Sequence, residues 1–154
     1  MPIQTAPAKP WGCGSRWVSR ENVEVVRRIY EAGARREGAA VLPLYDEDVE
    51  WDNSGSPVGL LTGGMVFRGH DGIKEAFREW YEAWEDVEHD VEEFTDIGPH
   101  VIAVGPMRGR GRTSGVEVTW DGYASTWTLR GGKVARSVWY PTREEALEAV
   151  GLRE

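Results

Sequence analysis

This sequence has a single cysteine, no long apolar run and no signal-peptide pattern. Cys13 is the only cysteine, so the chain cannot form an internal disulfide. No apolar run approaches the roughly 18 residues that a membrane span needs. The N-terminus shows no charged start, apolar centre and small-residue cleavage site. These observations predict a cytoplasmic protein with no membrane partner.

Positive charge is also in short supply. Eighteen Lys and Arg stand against 26 Asp and Glu, which gives a net charge of −8. The acidic residues are spread along the chain and do not form a tail. Because nucleic acid and phosphate ligands are bound mainly through positive charge, this balance argues against a nucleic-acid partner.

The sequence does contain enough material for one folded domain. It has 154 residues, 40% of them apolar, and eight Trp. Residues 1–18 carry three Pro and two Gly without a hydrophobic period, which predicts a mobile N-terminal arm. The folded domain is expected over residues 19–154.

Hydrophobic spacing predicts two short and two longer helices. Ser19 can cap a helix over residues 20–36, and residues 39–45 form a second, short helical segment. His70 or Asp71 can cap a third helix, whose apolar residues recur at helical spacing. These residues are Ile73, Phe77, Trp80, Tyr81 and Trp84. A last helix over residues 143–150 begins with the capping-box pair Thr142 and Glu145.

The remaining segments are typical of strands. Residues 48–55, DVEWDNSG, predict a short strand that runs into a loop, and SGSPVGLLTGG predicts a loop. After Glu85 the apolar period becomes two, which predicts an antiparallel meander with strands near 86–95, 100–112, 116–130 and 133–140. Gly122 interrupts the third of these and is predicted to bend it as a bulge. Helices followed by a long bent sheet predict an α+β fold, with a cavity at the open end of the sheet.

Six short motifs in this order resemble the SnoaL-like branch of the nuclear transport factor 2-like (NTF2-like) superfamily. They cover about residues 19–152 and read VEVVRRIYEAG, LYDEDVEW, FRGHDGIKEAF, GRGRTSGVEV, LRGGKVARSVWY and REEALEAVGL. The resemblance implies a cone-shaped α+β barrel, three N-terminal helices packed on a curved, mixed or antiparallel sheet, and a short C-terminal helix. It also implies a pocket between sheet and helices. The superfamily includes isomerases, cyclases, dehydratases, epoxide hydrolases and noncatalytic domains, so the fold alone does not select a reaction.

The resemblance also implies where a proton-transfer group would stand. In the ketosteroid isomerase pattern, an Asp follows a local Asp-x-x-x-x-Asp sequence, and counting from Asp48 places Asn53 there. Alternation along the strand then turns Trp51 and Asn53 toward the pocket and Asp52 away from it. A carboxamide cannot take up a proton near neutral pH, so Asn53 is not a general base. A register shift of one residue would exchange Asn53 for Asp52.

The other positions implied by known relatives are altered as well. Tyr30 lies about one position from the Tyr that serves as an oxyanion donor in the isomerase pattern, and Ser125 stands where that pattern has an acid. In the limonene-type epoxide hydrolase pattern, Trp51 replaces a Tyr, and the last-strand Asp position holds Trp139. These differences argue against either known design.

A small-molecule pocket lined by aromatic residues is therefore the favoured hypothesis, with an apolar or aromatic ligand and no cofactor. The predicted ligand-binding residues are Tyr30, Trp51, Asn53, Trp80, Tyr123, Ser125, Trp127 and Trp139. An enzyme would need an inward acid, for which Asp52, Glu93 and Asp121 are the candidates. A third alternative is a dimerisation module without a ligand. A homodimer through the outer sheet face, which carries Val138 and Tyr140, is expected and is compatible with ligand binding. The three His are spaced by 19 and 11 residues, which matches no metal-ligand motif, so no metal site is predicted.

Overall fold

The structure, a computed structural model, describes residues 10–56 and 66–151, with side chains from Arg20 onward. Most of the predicted SGSPVGLLTGG loop, residues 57–65, lies outside the described residues. Residues 1–9 of the predicted N-terminal arm lie outside them too, so the mobility of the arm stays a prediction.

Three α-helices and one 3-10 helix account for the helical content of the described residues. α1 runs over Pro10–Ala34, the 3-10 helix over Gly38–Leu44, α2 over Gly69–Ala83 and α3 over Arg143–Ala149. Thr142 caps α3 as predicted, since its Oγ1 accepts a hydrogen bond from the Glu145 backbone N–H at 3.2 Å.

The predicted starts of two helices are wrong. α1 begins at Pro10 and not after Ser19, so part of the predicted arm is helical. A proline is well tolerated in the first helical turn, where its missing N–H would have no partner within the helix. α2 begins at Gly69 after Arg68, which makes no side-chain cap, so neither His70 nor Asp71 is the cap. His70 is used differently, because its Nε2 lies 2.8 Å from the carbonyl oxygen of Tyr45.

The described residues include nine strands, which form two sheets. The strands are β1 (Tyr45–Asp52), β2 (Val66–Arg68), β3 (Trp84–His89), β4 (Glu93–Ile97), β5 (His100–Val104), β6 (Met107–Gly111), β7 (Glu117–Trp120), β8 (Ala124–Arg130) and β9 (Lys133–Tyr140). Six of them form a sheet in the order β2-β1-β9-β8-β5-β4, and three form a sheet in the order β3-β6-β7. β1 pairs with β9 in parallel and the other neighbours are antiparallel, so the larger sheet is mixed.

Three of the predicted meander strands are each divided in two, and their halves belong to different sheets. The interruptions fall between β3 and β4, between β5 and β6, and between β7 and β8. The backbone segments at the three interruptions lie close together. Gly105 N donates to Tyr123 O at 3.1 Å, and a side chain at Gly105 would overlap the Asp90 carbonyl oxygen. Gly122 lies at the third interruption, where it is part of a turn and not of a bulged strand. The period-two pattern continues through the first two breaks, and its change of phase at Gly122 predicted a bulge at the third, which is why the sequence predicted single long strands.

The architecture is therefore α+β, with N-terminal helices, a mixed sheet and a C-terminal helix, as predicted. α3 packs on the far side of the larger sheet from the main core, where Ala146 and Leu147 join Ile102 and Ala124 in a small second cluster.

Val138, on the outer face of the larger sheet, is 7% exposed within one chain. Among the described residues, Val116, at 57% exposure, is the only exposed large hydrophobic side chain. Dimerisation through the outer sheet face that carries Val138 and Tyr140 stays a prediction, which light scattering over a range of concentrations can test.

We expect Gly109→Ala to destabilise the fold. A Cβ at Gly109 in β6 would stand 2.7 Å from the Trp84 ring, which leaves no room without a shift of the buried indole. Forcing a group into a packed site costs about 1–3 kcal/mol, to be measured by urea unfolding. Gly122→Ala is the matched control, since nothing lies within 4 Å of its added Cβ. Equal stability of the two variants would contradict this account.

Candidate functional site

A cavity of about 90 Å³ lies between the two long helices and the inner faces of the sheets. Its lining combines side chains from both helices, both sheets and the connecting turns. The lining residues are Ile29, Tyr30, Gly33, Ala34, Trp51, Asn53, Phe67, Ala76, Phe77, Glu79, Trp80, Val87, His89, Tyr123, Trp127 and Trp139. Ala34 is exposed and Glu79 and Trp80 are half-buried, so the cavity reaches the surface between the ends of α1 and α2.

Seven of the eight predicted ligand-binding residues line this cavity: Tyr30, Trp51, Asn53, Trp80, Tyr123, Trp127 and Trp139. The eighth, Ser125, is fully buried and lies behind the wall, where it hydrogen-bonds two of the lining residues. The structure thus brings these side chains together, and their binding role stays a prediction.

The register of β1 decides which polar group meets the cavity. Trp51 and Asn53 line it, and the Trp51 indole N–H donates to Asn53 Oδ1 at 2.7 Å. Asp52 lies on the opposite face, where it accepts hydrogen bonds from the backbone and hydroxyl of Ser54 and lies 3.7 Å from Arg136 Nη2. The predicted alternation is confirmed.

The three acids considered for an enzyme are not among the cavity residues. Asp52 faces outward, and Asp121 is exposed in a turn. Glu93 pairs with Arg143 at 3.1 Å, and this hydrogen-bonded ion pair lowers the pKa of Glu93. Strand parity and the breaks between the sheets orient these three acids away from the cavity. Among the described residues, the one carboxylate in the lining is Glu79, which the sequence analysis missed although it lies three residues after the inward Ala76.

A short hydrogen-bonded chain fixes Tyr30 on α1. The Trp127 indole N–H donates to Ser125 Oγ at 2.7 Å, and Ser125 Oγ lies 2.7 Å from the Tyr30 hydroxyl oxygen. Burial raises the pKa of Tyr30 well above its usual value, although hydrogen bonds from Ser125 and Trp127 oppose the shift. Tyr30 therefore stays protonated at neutral pH.

His89 is the functional candidate that the sequence analysis missed. It ends β3 in an acidic stretch, yet it shares strand parity with Val87, and both side chains line the cavity. Its ring lies 5.0 Å from the Tyr30 ring, 5.4 Å from the Tyr123 ring and 5.9 Å from the Trp139 ring, measured between centroids. Burial lowers the pKa of His89 to about 4, against a smaller opposing effect of a hydrogen bond with the Gly105 backbone. His89 is therefore uncharged at neutral pH.

Two of the cavity residues carry polar ring atoms that are buried without a partner among the described residues. These atoms are His89 Nε2 and Trp139 Nε1. Leaving a buried polar atom unpaired costs about 1–3 kcal/mol, so each of these atoms lowers the stability of the folded protein.

The described residues contain no group of three or more His, Cys, Asp or Glu that could hold a metal ion. No helix among them is long and apolar enough to cross a membrane.

The family of SnoaL-like domains matches residues 26–137, and this range is more than half of the chain. The protein belongs to that family. Its fold is the NTF2-like fold. No functionally curated protein matches the sequence.

Several solved structures are similar to this chain. TerC, co-crystallised with polyporic acid, is 25% identical, with 77% of this chain and 89% of that chain covered and a TM-score of 0.66. An NTF2-like protein from Burkholderia xenovorans LB400 is 27% identical, with coverage of 79% and 88% and a TM-score of 0.63. A protein from Jannaschia sp. CCS1 assigned to the SnoaL-like polyketide cyclases is 18% identical, with coverage of 88% and 90% and a TM-score of 0.66. At 18% identity, the similarity shows only that the two proteins share a fold.

The lowered pKa of His89 predicts a loss of stability in mild acid. A His whose pKa falls from 6.5 to about 4 on folding contributes stability that is complete above pH 6.5 and is lost as the pH falls toward 4, because the unfolded chain binds the proton first. Between pH 7.5 and pH 5, this linkage should cost about 2 kcal/mol.

The test compares the free energy of unfolding of the wild type and of His89→Phe by urea titration at these two pH values. We expect the wild type to lose about 2 kcal/mol more than the variant does, since the variant lacks the titrating ring. An equal loss in both proteins would show that His89 titrates normally.

Proposed function

We propose that this protein binds a small apolar or aromatic molecule in the cavity between α1, α2 and the sheets. The observation that carries the proposal is the composition of the wall, in which indole and phenyl rings surround a space that the protein itself leaves open. Pockets of this kind, mostly apolar with a few placed polar groups, are typical of small-ligand sites.

The size of the cavity limits the ligand. A volume of about 90 Å³ is smaller than the roughly 150 Å³ of an apolar cavity that accepts benzene. The opening beside Ala34 removes this limit on one side, so a single ring can enter with part of its surface remaining at the mouth. Larger ligands would need Trp80 or the exposed end of α1 to move.

The charges around the cavity favour a neutral ligand. No Lys or Arg occurs among its described lining residues, and Glu79 is the one charged side chain there. An anion buried beside these rings would have no counter-charge, which is costly in an apolar site. TerC, which is 25% identical, was crystallised with a small organic molecule, and this supports a small-molecule role for the present chain.

We expect toluene to raise the thermal midpoint of the protein, because a ligand that binds only the folded state stabilises it by mass action. Ala34→Phe places a ring at the mouth of the cavity and should reduce this shift. Ala40→Phe is the control, since Ala40 is also exposed but does not line the cavity. Indole N–H resonances locate the ligand: those of Trp51 and Trp139 should shift, and that of Trp120, outside the lining, should not. Equal thermal shifts in the two variants, or no shift in the wild type, would refute the proposed function.

A further inference from the structure

Glu79 places a negative charge at the mouth of the cavity. It lies on α2, is half-buried and lines the cavity beside the opening between α1 and α2. Among the described residues, no ion pair or hydrogen bond engages its carboxylate. The other acids of α2 do have partners, since Asp71 pairs with Lys74 and Glu82 with Arg78. Glu79 is therefore an acidic side chain of this helix whose charge is left for something outside the described chain.

The basic side chains of the neighbouring turns are bound elsewhere. On α2, Arg78 donates to both carboxylate oxygens of Glu82 at 3.0 Å. Arg36, just after the end of α1, donates to the backbone carbonyl oxygens of Tyr81 and Trp84 at 3.4 and 3.3 Å. A positive group on a ligand would thus reach Glu79 without displacing either arginine from its partners.

The surroundings of Glu79 also favour a cation. Trp80 lines the cavity next to it and is half-buried, with its ring 5.6 Å from the ring of the buried Trp84, measured between centroids. Aromatic rings attract ammonium groups, because the faces of the rings carry negative charge density. The net charge of −8 adds a field that draws cations toward the protein.

The position of Glu79 divides a bound ligand into two parts. The interior of the cavity is formed by aromatic and aliphatic side chains, so the buried part of the ligand is apolar and neutral. An ammonium group buried among those rings would lose its hydration without a partner. At the mouth, the same group keeps contact with water and meets the carboxylate.

We propose that the cavity takes an arylalkyl amine, whose ring lies among the aromatic side chains and whose ammonium group lies at the mouth, paired with Glu79. This inference rests on the proposed function and narrows it, because the aromatic wall holds the ring and Glu79 selects the charge of the group attached to it.

The test compares benzylamine with benzyl alcohol, two ligands of nearly the same shape that differ by an ammonium in place of a hydroxyl group. In a cavity without Glu79, benzyl alcohol binds more tightly, because an ammonium group loses more hydration. In the wild type we expect benzylamine to bind at least as tightly, measured by titration of the Trp51 and Trp139 indole N–H resonances. Glu79→Gln should weaken benzylamine relative to benzyl alcohol by about fivefold. Added sodium chloride should weaken benzylamine in the wild type and not in this variant.

Glu31→Gln is the matched control. It removes the same charge from an exposed position on α1 that does not line the cavity, so the ratio of the two affinities should stay as in the wild type. A drop in the ratio equal to that of Glu79→Gln would show that benzylamine responds to the net charge alone, and the inference would be wrong.

The remaining outcomes separate the two proposals. If benzyl alcohol binds the wild type more tightly than benzylamine, or if Glu79→Gln leaves the ratio unchanged, the ammonium subsite is wrong and the proposed function stands. If neither ligand binds, both are wrong. If Glu79→Gln fails to fold, the carboxyl carbon-13 resonance of Glu79 in the wild type decides, because benzylamine should move it and benzyl alcohol should not. Equal movement with the two ligands would overturn the inference.

Discussion

The rest of the site depends on the ring contacts of the Trp139 indole. From the inner face of β9, it lies within 6.0 Å, between ring centroids, of five other rings that come from both sheets and α1. These rings belong to Tyr30, Trp51, His89, Tyr123 and Trp127. Offset and edge-on aromatic pairs contribute about 0.5–1.5 kcal/mol each beyond their buried area. One side chain thus links α1 to both sheets and fixes the geometry of the cavity wall.

The division of the meander strands explains why these rings surround a space. β3 and β4, β5 and β6, and β7 and β8 are consecutive halves that belong to different sheets, so the chain turns at each break. Gly105 makes the turn possible, because its missing side chain lets two backbone segments approach closely. The same turn brings the Gly105 backbone to His89 and so holds the imidazole against the aromatic cluster.

Much of this arrangement could be predicted from the sequence, because parity along a strand follows from backbone geometry alone. That rule placed Trp51, Asn53, Trp127 and Trp139 correctly, and it turned Asp52 outward. It could not show where a strand leaves one sheet for another, since the alternation continues through the first two breaks and the change of phase at Gly122 was interpreted as a bulge. His89 was missed because it stands among acidic residues and the spacing of the three His matches no ligand motif. The start of α2 was missed because Arg68 makes no side-chain cap, and the start of α1 was missed because it lies at Pro10, in a segment without a hydrophobic period.

The proton affinities of the polar groups limit the chemistry open to the cavity. Burial keeps Tyr30 protonated and His89 uncharged at neutral pH, so neither group changes charge easily in that range. A general base works best when its pKa is close to the working pH, and the pKa of His89, at about 4, is far below it. The outward acids Asp52 and Glu93 cannot supply the missing base. Tyr30 and His89 therefore contribute to the cavity wall as neutral groups.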